Sequence, residues 1–596
     1  MPAYTAPLRD MRFVLYELHK GEEVSSLPGF EEMTPDLIDA VMEEAAKLST
    51  EVLQPLNASG DLEGCHFENG VVRTPKGFKE AYDTFKEGGW TGIACDPNYG
   101  GQGLPTSVNM LIEEMISSAN LSFGMYPGLT HGAYKAIHAH GTDELKAIYL
   151  PKMVDGTWGG TMNLTEPHCG TDLGLMRTKA VPQEDGSYKI TGTKIFISSG
   201  EHDLTENIIH LVLAKIPGGP KGIKGISLFV VPKFLVKEDG SLGARNGAAC
   251  GAIEHKMGIH ANSTCVMNYD DATGWLIGEE HKGMRAMFTM MNAARQGVAV
   301  QGLGVAEAAY QGAVAYAKER LQGRSLSGTK YPDKPADPLL VHPDIRRMLL
   351  TMRANIEGAR ALGAWVSKAL DLSEKHPDAQ VRQDNEDLVA ILTPILKACF
   401  TDLGFETANL GVQIFGGHGY IRDHGMEQLV RDARITQIYE GANGIQALDL
   451  VGRKLGKDGG RALMAFFNEV QTYLKERAGS SEMNVYLKPL GASLAHLQQA
   501  SMWFMQNAMG KPDNVGAGSY DYMHLFGLVA LGYMWCRIVE AVIAKLPKAN
   551  GSTPRYSAKL VTARFFMERM LPETAAHLAR IQSGAASTMD MPEDQF

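Results

Sequence analysis

Glu440, set between Tyr439 and Gly441, is the residue of this chain best suited to chemistry. Taking a proton from carbon needs a base in contact with that carbon, and a desolvated carboxylate serves well. Gly441 leaves room for close approach to the backbone. Taken alone, Glu440 reads more readily as a solvated acid at a helix start, where the helix dipole favours it. Other chemical-looking features are weaker. Gly302-Leu-Gly-Val-Ala-Glu lacks the third glycine of a dinucleotide loop and lies in a helical stretch, so it reads as close packing. Gly416-Gly-His-Gly is not led by a strand. His168-Cys169 has no partner cluster at ligand spacing, so no metal is expected. His131 and His202 read as lone structural histidines that could border a cavity.

These residues need elements to position them. Residues 1–158 read as helical; Asp36-Leu-Ile-Asp-Ala-Val-Met has helical spacing after Thr34-Pro35. From 159 to 278 the period changes. Short β-like runs appear at Tyr188-Lys-Ile-Thr, Lys194-Ile-Phe-Ile, Ile208–Ala214, Ile226–Val231 and Thr264–Tyr269, with turn signals between them. Residues 279–455 return to long helices, including Gly302–Arg320, Pro343–Leu372 and Asn385–Leu410. Residues 456–596 read as an added helical unit. Helices, then strands, then helices predict an α+β fold with segregated units and a small central β-barrel or sandwich.

Composition sets limits. Of the 596 residues, 44% are hydrophobic and 21% charged, which excludes a disordered chain, a fibrous repeat and a disulfide scaffold. The net charge of −11 makes a nucleic-acid-wrapping protein a poor fit. Seven widely spaced cysteines without a CxxC fit a reducing, cytoplasmic compartment. The N-terminus has no apolar run of signal-peptide type. The most apolar stretch, Leu525–Cys536, is too short for a bilayer and predicts a buried helix, so no transmembrane segment is expected. The 30 methionines fit ordinary core filling.

Four motifs in order carry a family resemblance. Met162-Asn-Leu-Thr-Glu-Pro-His-Cys-Gly-Thr-Asp172 resembles the flavin signature of acyl-CoA dehydrogenases, and Ile190-Thr-Gly-Thr-Lys-Ile-Phe-Ile-Ser-Ser-Gly200 resembles their second flavin segment. Gln413-Ile-Phe-Gly-Gly-His-Gly-Tyr420 and Arg431–Gln446 resemble the adenine-side loop and the catalytic segment. The added C-terminal unit is similar to that of the long bacterial subgroup, which includes 3-methylmercaptopropionyl-CoA and fatty acyl-CoA enzymes. The resemblance implies the family's fold: an N-terminal helical domain, a middle β-barrel and a C-terminal four-helix bundle, plus the extra helical domain.

It also implies FAD and an acyl-CoA substrate. Glu440 would take the α-proton while the flavin accepts the β-hydride, giving the trans-2-enoyl-CoA. Some relatives carry the base on another helix, directly before an Arg matching Arg295; here that residue is Ala294, which takes no proton. The Glu440 backbone N–H and a flavin ribityl hydroxyl would stabilise the enolate oxygen. Met162, Leu164, Thr165, Thr171, Phe196 and Ser198 match flavin contacts, and aromatic stacking with hydroxyl donors suits an isoalloxazine. Arg320, Gln322, Gln413 and Gly417 match the adenine and pyrophosphate half-site, which the neighbouring subunit contributes in relatives. Thr171, Arg295, Tyr439 and Gly441 match substrate contacts.

The implied acceptor is an electron-transfer flavoprotein and the implied assembly a homodimer with shared FAD sites, the added unit covering a surface that tetrameric relatives bury. An acyl-CoA oxidase and a DNA-associated relative of the fold are the alternatives. Lys545–Arg580 carries seven Lys/Arg against two Asp/Glu, which reads more readily as a solvated face than as a DNA site.

Overall fold

The computed structural model describes residues 3–546 and 553–596. They form two compact units. One comprises 44–104 with 115–297; the other comprises the residues up to 43, 105–114 and those from 298 onward.

The first unit is built around a seven-stranded sheet. Strand Thr264–Ile277 pairs antiparallel with Tyr188–Ser198 and with Ile226–Pro232. Lys179–Pro182 joins Tyr188–Ser198 to Asn207–Lys215, and Ile226–Pro232 pairs back onto Asn207–Lys215. The path therefore returns on itself and closes a barrel. Trp158–Asn163 adds in parallel to Asn207–Lys215, and Ala248–Ile253 adds to Thr264–Ile277. Closure explains why Asn207–Lys215 reads as a nearly continuous apolar run. Val212 and Ala214 face the interior with Phe229, Val231, Ile190 and Tyr269. Ile209, Leu211 and Leu213 face outward and pack with Ala133, Ile137 and Leu150 of helices Leu121–His140 and Asp143–Val154.

The β-like runs at 188–191 and 194–197 are one strand, Tyr188–Ser198. A two-stranded hairpin, His66–Glu68 with Val71–Arg73, interrupts the helical N-terminal stretch. Its turn is Asn69-Gly70, both at positive φ, the dipeptide that two-residue hairpins favour.

The second unit is all helical among its described residues. Its long members are the 298–319 part of Gly283–Glu319, Pro343–Lys375, Ala379–Phe415 and Asp513–Lys545. Glycine sets their spacing. A Cβ on Gly302 would lie 2.5 Å from the Phe400 carbonyl oxygen, and one on Gly404 2.5 Å from that of Gly302. The Gly302 motif is thus a helix contact. Leu525–Cys536 is the buried centre of Asp513–Lys545. That helix and Ala379–Tyr420 are long and apolar enough to cross a membrane, yet most of each apolar stretch is buried within the protein.

A buried charge cluster ties this unit together. Arg360 donates to Glu114 and Glu307 and pairs with Asp10, while Lys559 bonds Asp10 and Glu357. Burial still pushes the Glu114 carboxyl up to about 7 against the opposing Arg360 charge. The basic run at 545–580 is partly spent in such pairs: Lys559 is buried, Arg564 pairs with Glu568 and Arg580 with Asp521. Lys548 lies outside the described residues.

Arg360→Leu leaves buried carboxylates uncompensated. It is expected to cost about 3–5 kcal/mol of stability, read as a lower urea midpoint; an unchanged midpoint contradicts the role of the cluster.

Candidate active site

The barrel unit carries one set of candidate residues. Strand Trp158–Asn163 ends at Met162-Asn163, and Leu164–Asp172 continues as a loop along the end of Tyr188–Ser198. The seam between them is polar and buried. Lys194, fully buried, donates to the Leu164 carbonyl at 3.0 Å and to Glu166 Oε1 at 2.9 Å. The Ile195 N–H donates to the Thr165 carbonyl at 2.9 Å. Glu166 also accepts from the Arg177 N–H and from Thr178 Oγ1. Burial alone would push its carboxyl up, but Lys194 and these donors hold it below its usual range. Glu166, His168 and Cys169 lie close enough to share a metal ion, yet the Glu166 oxygens are already engaged by Lys194, Arg177 and Thr178.

This seam brings Leu164 and Thr165 beside Ile195 and Phe196. Opposite them the register shifts: Cys265 faces Ile197 and Met267 faces Lys194. Two residues thus oppose one, and the bulge places Phe196 at φ +58° with its ring 60% exposed. Met162, Leu164, Thr165 and Ser198 are half-buried, and Thr171 is exposed. Arg295 is only 8% exposed; its guanidinium reaches Asn292 at 3.3 Å and lies over the Phe288 ring. His131 is half-buried and His202 buried, and burial lowers both to about 3, so both rings are neutral.

The helical unit carries a second set. Helix Met426–Arg434 and the turn Ile435–Gln437 lead into residues 438–442, and helix Asn443–Asp449 follows. Glu440, half-buried, sits in this loop at φ +58°, followed by Gly441 at φ +90°. Two consecutive left-handed residues turn the chain sharply, and only the second is glycine. The Tyr439 hydroxyl donates to Gln301; burial first, then the Glu440 charge, keeps that phenol protonated.

Asn443 anchors the loop. Its Nδ2 donates to Thr401 Oγ1 at 2.9 Å and to Asp402 Oδ1 at 2.8 Å, and its Oδ1 accepts from the fully buried Lys397 at 2.8 Å. Gln437 donates to the same Asp402 oxygen at 2.6 Å. Lys397, Thr401 and Asp402 lie on one face of Ala379–Phe415. Asn443 lies inside the Arg431–Gln446 motif, whereas Lys397 and Asp402 belong to no motif and gain their partners only in the folded helices.

At the end of that helix, Tyr316 stacks on Phe415 with ring centroids 4.1 Å apart, and its hydroxyl bonds His418. This joins the 413–420 segment to the end of Gly283–Glu319, next to Arg320. Arg320, Gln322, Gln413 and Gly417 are all exposed. A Cβ on Gly416 or Gly417 would meet nothing within 4 Å, so these glycines serve no internal packing and leave open backbone. Arg324 turns into its own loop, bonding Asp337 and the Tyr331 and Lys334 carbonyls.

These observations fit FAD half by half. An apolar ring held out from a strained bulge beside a threonine hydroxyl is a platform for a flat aromatic group. Exposed Arg320 beside open glycine backbone suits a pyrophosphate.

Comparison with known proteins agrees. Residues 38–157, 161–272 and 281–455 match the profiles described as acyl-CoA dehydrogenase N-terminal, middle and C-terminal domains. Residues 466–592 match one described as acetyl-CoA dehydrogenase C-terminal like. The chain is 43% identical over 580 residues to 3-methylmercaptopropionyl-CoA dehydrogenase of Ruegeria pomeroyi, covering 97% of this chain and 98% of that one. It is 32% identical to the broad-specificity linear acyl-CoA dehydrogenase FadE5 of Mycobacterium tuberculosis, covering all of both. In fold it is similar to an acyl-CoA dehydrogenase of Bacillus anthracis complexed with FAD, with TM-score 0.74, 21% identity, 94% of this chain and 90% of that one.

Lys194→Met removes the cation that neutralises Glu166 and ties the 164–166 loop to its strand. The purified variant is expected to retain its helical circular dichroism and lose most of its flavin absorbance per protein. Full flavin content would contradict the clamp.

Proposed function

The chain belongs to the acyl-CoA dehydrogenase family, FAD-dependent enzymes that oxidise an acyl-CoA to its enoyl-CoA, and we propose that Glu440 is the base of this reaction. The observation that carries the assignment is the backbone of Glu440. A residue with a side chain is held at φ +58° between Tyr439 and Gly441, in a loop fastened by Asn443 to the buried face of a long helix. Strain of this kind persists where the surroundings over-determine it, and it clusters at functional sites.

In this reading Leu164, Thr165, Phe196 and Ser198, with Met162 and Thr171 at the edges of the same loop, hold the flavin ring. Arg320, Gln322, Gln413 and Gly417 hold the adenine and pyrophosphate end, contributed across a homodimer. Bound FAD supplies a two-electron acceptor for the β-hydrogen. Glu440 takes the proton from the α-carbon. As that proton leaves, charge moves onto the thioester oxygen, where the Glu440 backbone N–H is the donor; a prearranged donor there lowers the barrier directly. Gly441 lets the thioester approach the backbone, and Tyr439 borders it. The acyl chain excludes water from the half-buried carboxylate, and desolvation makes it a stronger base. Arg295 serves the CoA moiety from a nearly buried position.

The proposed substrate is an unbranched acyl-CoA, with 3-methylmercaptopropionyl-CoA preferred; its sulfur replaces one methylene of pentanoyl-CoA. Similarity to the Ruegeria enzyme over nearly the full chain supports this. An electron-transfer flavoprotein is the proposed acceptor. The seven free cysteines fit a cytoplasmic enzyme.

Glu440→Gln is expected to keep flavin-bound, yellow protein and lose turnover by several orders of magnitude; near wild-type turnover refutes the assignment. Across an acyl-CoA panel, kcat/KM is expected to peak at 3-methylmercaptopropionyl- and pentanoyl-CoA, without peroxide release; a long-chain maximum contradicts the substrate and rapid peroxide release the acceptor. Light scattering should give a dimer mass, and a tetramer mass would contradict the proposed role of the added unit.

A further inference from the structure

Asp402 has two carboxylate oxygens with two different audiences. Oδ1 accepts from Gln437 at 2.6 Å and Asn443 at 2.8 Å, the residues that bracket the Glu440 loop. Oδ2 accepts from Tyr520 at 2.7 Å and lies 2.9 Å from His524 Nε2. Tyr520 and His524 belong to helix Asp513–Lys545, in the added C-terminal stretch. One carboxylate therefore joins that stretch to the loop that carries the base.

The joint is stiff. Tyr520, His524 and Gly527 share one face of their helix, as Ile395, Cys399 and Asp402 share one face of Ala379–Phe415. A Cβ on Gly527 would lie 2.5 Å from Cys399 Sγ, so the helices meet without slack. The Cys399 thiol also points to the Met523 carbonyl at 3.7 Å. Behind His524, the His577 ring stacks at 5.9 Å and bonds Asp521 at 2.7 Å. Burial alone would raise the Asp402 carboxyl, but His524, Tyr520 and Gln437 hold it below its usual range.

We propose that Asp402, with His524 and Tyr520 behind it, positions the Glu440 loop, so that the added helical unit is part of the machinery that sets the base and not only a cover. The inference rests on Glu440 being the base. A carboxylate shared between four donors fixes all four. Withdrawing the donors on one oxygen leaves the charge less compensated and lets Gln437 and Asn443 shift with it. Displacement of a reacting group by about 1 Å costs on the order of 10²-fold in rate. Asp402 and His524 are positioning residues, since their effect passes through Asn443 and Gln437.

The test compares His524→Ala, His524→Gln and Tyr520→Phe as FAD-bound enzymes with a saturated acyl-CoA and its α,β-deuterated form. His524→Ala is expected to lower kcat about ten- to hundredfold, leave KM and flavin content near wild type, and enlarge the deuterium isotope effect on kcat as bond breaking becomes slower. His524→Gln, whose amide still reaches Asp402, should recover most of the rate. A merely structural role would lower flavin content and Tm without enlarging the isotope effect. Wild-type kcat and isotope effect in His524→Ala, or a loss wholly explained by missing flavin, overturns the proposal. Should His524→Ala fail to fold, Tyr520→Phe decides by the same readouts: a smaller fall in kcat with a larger isotope effect supports the proposal, and wild-type values overturn it. Glu440→Gln runs alongside. Inactive Glu440→Gln with unchanged His524→Ala overturns the coupling alone, whereas active Glu440→Gln overturns the base assignment and this inference with it.

Discussion

A side chain held at positive φ costs of order 1–2 kcal/mol relative to its ordinary conformations, and Glu440 is held there. Residues 438–442 form neither helix nor strand. The loop is fastened by Asn443, fixed to Lys397, Thr401 and Asp402 on a long helix, and by Gln446, whose amide donates to the Glu440 and Gly441 carbonyls at 3.4 Å. The barrel unit repeats the arrangement independently. Phe196 is held at φ +58° by a bulge, and the loop beside it is held by Lys194 and Glu166. In both units a fully buried lysine fastens a segment that carries a residue at positive φ: Lys194 near Phe196, and Lys397 through Asn443 near Glu440. A buried ammonium is tolerated only with its donors satisfied, so these lysines fix geometry more than they add stability.

The larger architecture supplies what such clamps need, which is backbone that does not yield. The barrel has no free edge along its closed path, and its strands are packed on both faces. The helical unit brings its members to glycine-limited contact at Gly302, Gly404 and Gly527. Its polar core around Arg360 crosses from the N-terminal segment to Lys559, so the extension is also tied in far from the Glu440 loop. The extension thus shares a core with the helices that flank the Glu440 loop.

Much of this was legible in the sequence, and the boundary is physical. The change from helical period to β-like runs near Gly159 and back near His281 located the barrel, because period reports burial directly. The motif order groups Glu440, Thr165 and Phe196 as one candidate set. Glu440 as a lone residue gave an ambiguous signal, since a helix-start acid looks the same. The hairpin at 66–73 was legible in its Asn69-Gly70 turn but was masked by the helical residues around it. Lys194 lay inside a quoted motif, yet its role depends on Glu166, 28 residues away. Asp402 was out of reach, because its meaning comes from Gln437, Asn443, Tyr520 and His524, which are 35 to 122 residues distant in sequence and meet only in the folded helices.

The proposed reading has flavin held by the barrel unit and Glu440, on a strained helical loop, as the carbon base. Its most direct test is anaerobic mixing of the FAD-bound protein with a stoichiometric saturated acyl-CoA. The account predicts bleaching of the flavin with one enoyl-CoA formed per flavin reduced. Flavin that stays oxidised while the acyl-CoA binds, or bleaching without enoyl-CoA, would contradict it.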